Sequence, residues 1–133
     1  MENTLPYVSF KIRDHRNSFE ALVSLSSSAS ICTANFALNT GYSINPITPR
    51  LKLCTALGSN HAVDILGELK LPLLFPLASG KIASIKTPFY VANIHDKNEI
   101  TLGSPFLHSI KAKYVTRDSI LLSIDECIPI IQK

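Results

Sequence analysis

Short segments that alternate apolar and polar residues, each closed by a turn signal, constrain this chain more than any other feature. Tyr7-Val8-Ser9-Phe10-Lys11-Ile12 has the two-residue period of a half-buried strand. Asp14-His15-Arg16-Asn17 follows as a polar turn, and residues 19–25 are a second apolar-rich strand, so residues 7–25 are expected to form a hairpin. Residues 51–56 alternate again, Leu57-Gly58-Ser59-Asn60 is a turn, and residues 62–71 run back, giving a second hairpin over about 51–71 with its tip near Gly58. Residues 71–77 are very apolar but broken by Pro72 and Pro76, and residues 82–94 read as one or two strands. Ile100-Thr101-Leu102 is a short strand ending at Gly103. Ser104 can cap a helix with Pro105 in its first position, and Phe106, Leu107 and Ile110 lie on one face of that helix. Residues 113–116 and 119–124 form a hairpin about Arg117-Asp118, and residues 128–131 are a last short strand. For residues 31–38 the pattern leaves strand and helical turn both open. The sum is roughly eight short strands and one clear helix, an all-β chain of the small closed barrel or sandwich kind.

Composition adds limits. A length of 133 residues suits one domain over 1–133. With 46% hydrophobic and 17% charged residues the chain is not disordered. With 8% aromatics and no Trp, the core is expected to be filled by Leu, Ile, Val and Ala. The length excludes a two-lobed enzyme, so an active site of two equivalent halves would need two copies of the chain. The net charge of +3 is spread out; Lys111, Lys113 and Arg117 form the densest basic group, and Arg50 and Lys52 a smaller one. That is not the Lys/Arg stripe with interleaved aromatics of a nucleic-acid binder. Cys32, Cys54 and Cys127 are odd in number and far apart, and His15, His61, His95 and His108 are scattered, so neither a metal site nor a cofactor is expected. No apolar run approaches the ~20 residues of a membrane span, and the first residues lack a signal-peptide pattern, which makes an intracellular, cytoplasmic location the default expectation.

The distribution of acids is more specific than their number. From Ala21 through Val63 there is no Asp or Glu.

Three elements, in order, resemble the retropepsin-like aspartic proteases of retroviruses, retrotransposons and pararetroviruses, the caulimovirus-type branch above all. Residues 21–36, Ala-Leu-Val-Ser-Leu-Ser-Ser-Ser-Ala-Ser-Ile-Cys-Thr-Ala-Asn-Phe, are similar to the family's apolar strand, Asp-Thr/Ser-Gly-Ala-Ser and apolar continuation. Leu53-Cys54-Thr55-Ala56-Leu57-Gly58-Ser59, followed by Ile65-Leu66-Gly67, is similar to the flap hairpin, with Ala56, Leu57, Gly58 and Ser59 at the peptide-binding tip. Ile100-Thr101-Leu102-Gly103 before Ser104-Pro105-Phe106-Leu107 is similar to the structural apolar-apolar-Gly motif that precedes the family's helix. The resemblance implies a small closed β-barrel and a homodimer that takes an extended peptide. It also places Ser26 at the catalytic Asp, Ser27 at the Thr/Ser and Ser28 at the Gly.

The acid is therefore missing, and no slip of the alignment restores it. Glu20 begins the preceding strand, and Asp64 lies in the second flap strand with no Ser/Thr-Gly behind it. The family's chemistry needs two carboxylates that share one proton and act on a bound water. A serine hydroxyl does not titrate near neutral pH, and losing the general base removes a factor of ~10²–10⁴. A serine nucleophile is not indicated either, since no G-x-S-x-G elbow exists. Cys32 sits in an apolar segment that suits a buried thiol. The expectation is a degenerate retropepsin-like domain that dimerises and binds an extended peptide by strand addition. The competing expectations are an active aspartic endopeptidase whose acid was replaced for study or comes from a partner chain, and an unrelated nucleic-acid-binding or structural barrel.

Overall fold

The first hairpin is built from β1 (Pro6–Ile12) and β2 (Ser18–Val23), paired antiparallel from Tyr7↔Leu22 to Lys11↔Ser18. Val8, Phe10 and Ile12 face inward and are buried, while Lys11 is exposed. A computed structural model describes residues 4–47, 52–55, 58–94, 97–122 and 126–133, with 52–55 and 58–63 described by their backbone. The remaining elements are β3 (Ile31–Thr33), α1 (Ala34–Thr40), β4 (Lys52–Thr55), β5 (Gly58–Pro76), β6 (Ile82–Ala92), β7 (Ile100–Leu102), α2 (Ser104–Ser109), β8 (Tyr114–Val115), β9 (Ser119–Leu121), β10 (Cys127–Pro129) and β11 (Ile131–Gln132).

One sheet runs β11-β1-β2-β7-β3-β6-β5-β4 and closes on itself where β1 pairs with β5 (Lys11↔Leu74, Ile12↔Leu73). The closed part is a six-stranded mixed barrel, β1-β2-β7-β3-β6-β5, in which β2–β7 and β3–β6 are parallel. A second small sheet, β10-β9-β8, packs Ile120 and Ile128 into the same core. The architecture is mainly β, as the alternation requires, with 50% strand and 12% helix.

Four local features differ from the sequence expectation, each for a physical reason. Among the described residues there are two short helices, because the open stretch at 31–38 holds both structures in succession. β3 ends at Thr33, whose hydroxyl accepts from the Phe36 N–H as an N-cap, and Gly41 closes α1 at φ 78°, a left-handed cap suited to glycine. The prolines do not break β5. Arg13 N–H donates to the Pro72 carbonyl. A strand residue points its N and its C=O to the same side, so the Pro72 ring nitrogen faces β1 and the β5–β6 ladder loses no bond; the Arg13 carbonyl, left without a Pro72 N–H, accepts from the Tyr42 hydroxyl. Pro76 has the same parity and lies past the last β1–β5 pair, Lys11↔Leu74. Gly103, not Ser104, is the N-cap of α2, with Ser104 and Pro105 in its first turn. The last strand region divides into β10 and β11.

The core is filled mainly by Leu, Ile, Val and Ala, as the composition implies, with phenylalanines set among them. Five of the six phenylalanines are buried: Phe10, Phe36, Phe75, Phe89 and Phe106. Phe10, Phe75 and Phe106 form a run with ring centroids 5.7 and 5.3 Å apart. Each buried ring contributes about 1.5–3 kcal/mol of transfer free energy, the same range as a buried Leu or Ile, so the rings add to the aliphatic core and do not replace it. No helix among the described residues is long and apolar enough to cross a membrane.

Candidate active-site loop

The parallel pairing of β2 with β7 brings the end of one hairpin beside the start of α2. Leu22 lies opposite Thr101 and Val23 opposite Leu102, and Ser24 N–H donates to the Leu102 carbonyl at 2.9 Å. Ile100 and Leu102 are both buried, the first pairing with Cys32 of β3. The chain leaves β2 at this point, makes a serine-rich loop and enters β3.

Backbone groups hold the loop down. Ser27 N–H turns back to the Ser24 carbonyl at 3.3 Å, and the Ser27 hydroxyl donates to the Ala29 carbonyl at 2.7 Å. The Ser27 carbonyl accepts from Ser104 N–H at 2.9 Å. Ser30, only 5% exposed, accepts from Gly103 N–H through its hydroxyl at 3.0 Å and from Tyr90 N–H through its carbonyl at 2.9 Å. The loop is thus tied to both β6 and the β7–α2 corner. Gly103 allows the close crossing, because a Cβ there would sit 2.8 Å from the Ser27 carbonyl oxygen. Ser30 is the positioning residue that type and spacing alone do not set apart from the other hydroxyls; its match to the family's Ala-Ser pair is the signal that could have found it.

Ser26 and Ser28 face solvent, Ser27 is half-buried and the neighbouring Leu25 is 60% exposed. The Ser24 and Ser26 hydroxyls lie 3.4 Å apart. The loop therefore offers hydroxyls and carbonyls but no group that takes a proton near neutral pH. Nearby acids are placed elsewhere: Glu20 stands opposite Ser9 and ion-pairs with Lys133, while Asp64 lies opposite Lys52 in the β4–β5 ladder. His15 is held by the Thr40 carbonyl at 3.0 Å. No group of His, Cys, Asp and Glu among the described residues is gathered to hold a metal ion. At the second predicted element, β4 and β5 pair from Lys52↔Asp64 to Thr55↔Gly58, so Gly58 and Ser59 begin a strand. Ala56 and Leu57 lie outside the described residues.

The barrel matches solved structures over nearly its whole length. Against the retroviral protease-like domain of Ddi1 from Leishmania major the TM-score is 0.68 at 18% sequence identity, covering 98% of this chain and 96% of that one. The fold is retropepsin-like. A retropepsin-like aspartic protease from Rickettsia conorii gives a TM-score of 0.50 at 14% identity, covering 99% and 97% of the two chains. No protein-family model matches the sequence, and no curated protein matches it either.

In this retropepsin-like barrel the thiol next to the loop is shielded. Cys32 is 1% exposed, and burial pushes its thiol up from 9.0 to about 12. Above pH 9 the unfolded chain releases this proton while the folded chain keeps it, so folding stability falls as pH rises from 9 towards 12. The expected slope from this group is about 1.4 kcal/mol per pH unit. Urea unfolding of the natural chain and of Cys32→Ala on either side of pH 9 will check this: the natural chain loses the extra stability and the variant does not.

Proposed function

We propose that this chain is a catalytically silent retropepsin-like domain, a pseudoprotease of retroelement or pararetroviral origin, that forms a homodimer and holds an extended peptide. The observation that carries this reading is the loop between β2 and β3. It is tied to Gly103 and β6 by the bonds described above, yet offers Ser26, Ser27 and Ser28 and no carboxylate.

One chain of this size carries one half-site, and a two-fold dimer brings two such loops together. In an active pair the facing acids would share a proton, because like charges so close do not both ionise. Two serines remove the base, the acid and that repulsion together. The Ser27 hydroxyl gives its proton to the Ala29 carbonyl and keeps its lone pairs to accept a bond across the two-fold axis, so the dimer scaffold survives the loss of chemistry. Exposed Leu25 beside the loop gives a second copy apolar surface to cover. Peptide binding needs backbone groups and side-chain pockets, not carboxylates, and the β4–β5 hairpin with its tip residues Ala56, Leu57, Gly58 and Ser59 is the edge for strand addition.

The test is a cross-link. Ser26→Cys is expected to form a disulfide-linked dimer under mild oxidation, with the natural chain, which keeps Cys32, Cys54 and Cys127, staying uncross-linked. Disulfide formation demands Cα atoms within ~7 Å, so it reads the facing of the two loops directly. A Ser26→Cys chain that sediments as a monomer and never cross-links rejects the proposal.

A further inference from the structure

We propose that the outer face of β1, β5 and β6 is a docking surface for an acidic peptide segment carrying apolar side chains. The register sets four cations on that face. Lys11 lies opposite Leu74 and Lys86 opposite Pro72, while Lys70 lies opposite Pro88. Arg13 joins the Pro72–Lys86 row through its backbone bond to the Pro72 carbonyl. The inward partners Phe10, Ile12, Leu71, Leu73 and Phe89 are buried, so Lys11, Arg13, Lys70 and Lys86 stand outward, and all four are exposed. Strands are about 4.8 Å apart and alternate residues about 7 Å apart, so the four cations occupy a patch of about 10 by 14 Å.

No carboxylate among the described residues neutralises this patch. The ion pairs there join Lys81 to Glu126 and Lys133 to Glu20. Glu68, one row beyond Lys70, is half-buried, and among the described residues the Arg13 side chain makes a single bond, a 3.5 Å contact to Ser84. Unpaired like charges on one rigid face raise the local potential and draw in an anionic partner.

Charge complementarity and the residues between the cations choose the partner. Pro72, Leu74 and Pro88 fill those gaps and give apolar side chains contact, while the nearest outward ring, Tyr90, stands one row beyond and opposite Glu68, whose carboxylate disfavours a nucleic acid there. The one depression among the described residues that gathers two carboxylates does not make a second copy the complement of this patch. Glu20 and Glu99 share one depression, but Lys97 and Lys133 line it too, leaving it without net negative charge. This surface is independent of the serine loop and of the dimer proposed above.

Fluorescence anisotropy of the full chain with a labelled peptide alternating Glu and Leu tests the assignment. Saturable binding is expected, weakening about tenfold as salt rises from about 50 to about 500 mM. Lys11→Gln/Lys70→Gln/Lys86→Gln, with an unchanged circular dichroism spectrum, is expected to lose affinity by at least ~10-fold. Lys111→Gln/Lys113→Gln, which removes the same kind of charge elsewhere, is expected to bind like the natural chain. Absence of saturable binding, an equal loss in both variants, or tighter binding of oligothymidylate than of the peptide would each overturn the proposal.

Discussion

Gly103→Ala is expected to destabilise the chain by about 3 kcal/mol and lower its melting temperature by about 10 °C. The cause is space, not backbone conformation, since Gly103 has an ordinary φ of −98°. An added Cβ would lie 2.8 Å from the Ser27 carbonyl oxygen and closer still to that of Ala29. These are backbone atoms fixed by the bonds from Ser104 and Gly103 to the loop, so they have little room to shift. Gly41→Ala is the matching control. Gly41 has a positive φ of 78° but nothing within 4 Å of a built Cβ, so it carries only the left-handed strain of about 1–2 kcal/mol. Thermal melts of both variants check the comparison, with Gly103→Ala the more damaging.

The second large effect concerns chemistry. Restoring an acid and a glycine together, Ser26→Asp with Ser28→Gly, is expected to raise peptide cleavage from background by at least ~10²-fold, the lower end of what a positioned general base contributes. The glycine goes in with the acid because the proposed alignment puts Ser28 at the family's Gly position. The same double variant is expected to dimerise more weakly than the natural chain when both new acids are charged, and to recover when one is protonated. Sedimentation at neutral and acid pH reads this directly. A dimer that tightens at neutral pH would contradict the repulsion argument, and cleavage that stays at background would contradict the placement of Ser26 at the acid position.

Much of the barrel was legible because alternation reports burial directly. Val8, Phe10 and Ile12 show the two-residue period and are buried on one face. α1 was not legible in the same way. Its seven residues make two turns, too few for a helical period to separate from a strand, and Asn39-Thr40-Gly41 reads as a turn when it is the helix exit. The prolines misled for a different reason. Composition says that Pro72 lacks a donor but not which way its nitrogen faces, and the pairing of Arg13 with Pro72 settles that only in three dimensions. The acid-free stretch from 21 to 63 was fully visible, since an absence of residue types needs no fold to be read. The division of labour among the serines was not. Ser26 is exposed and Ser30 is 5% exposed with two bonds to other elements, and only three residues lie between them in a run of near-identical side chains.

Cleavage by the natural chain is the most direct measurement. A mixture of labelled peptides, incubated with the purified chain from mildly acidic to neutral pH with and without pepstatin, should show no turnover above background, because the loop holds no group that takes a proton from water. Pepstatin-sensitive cleavage by the natural chain would contradict the account.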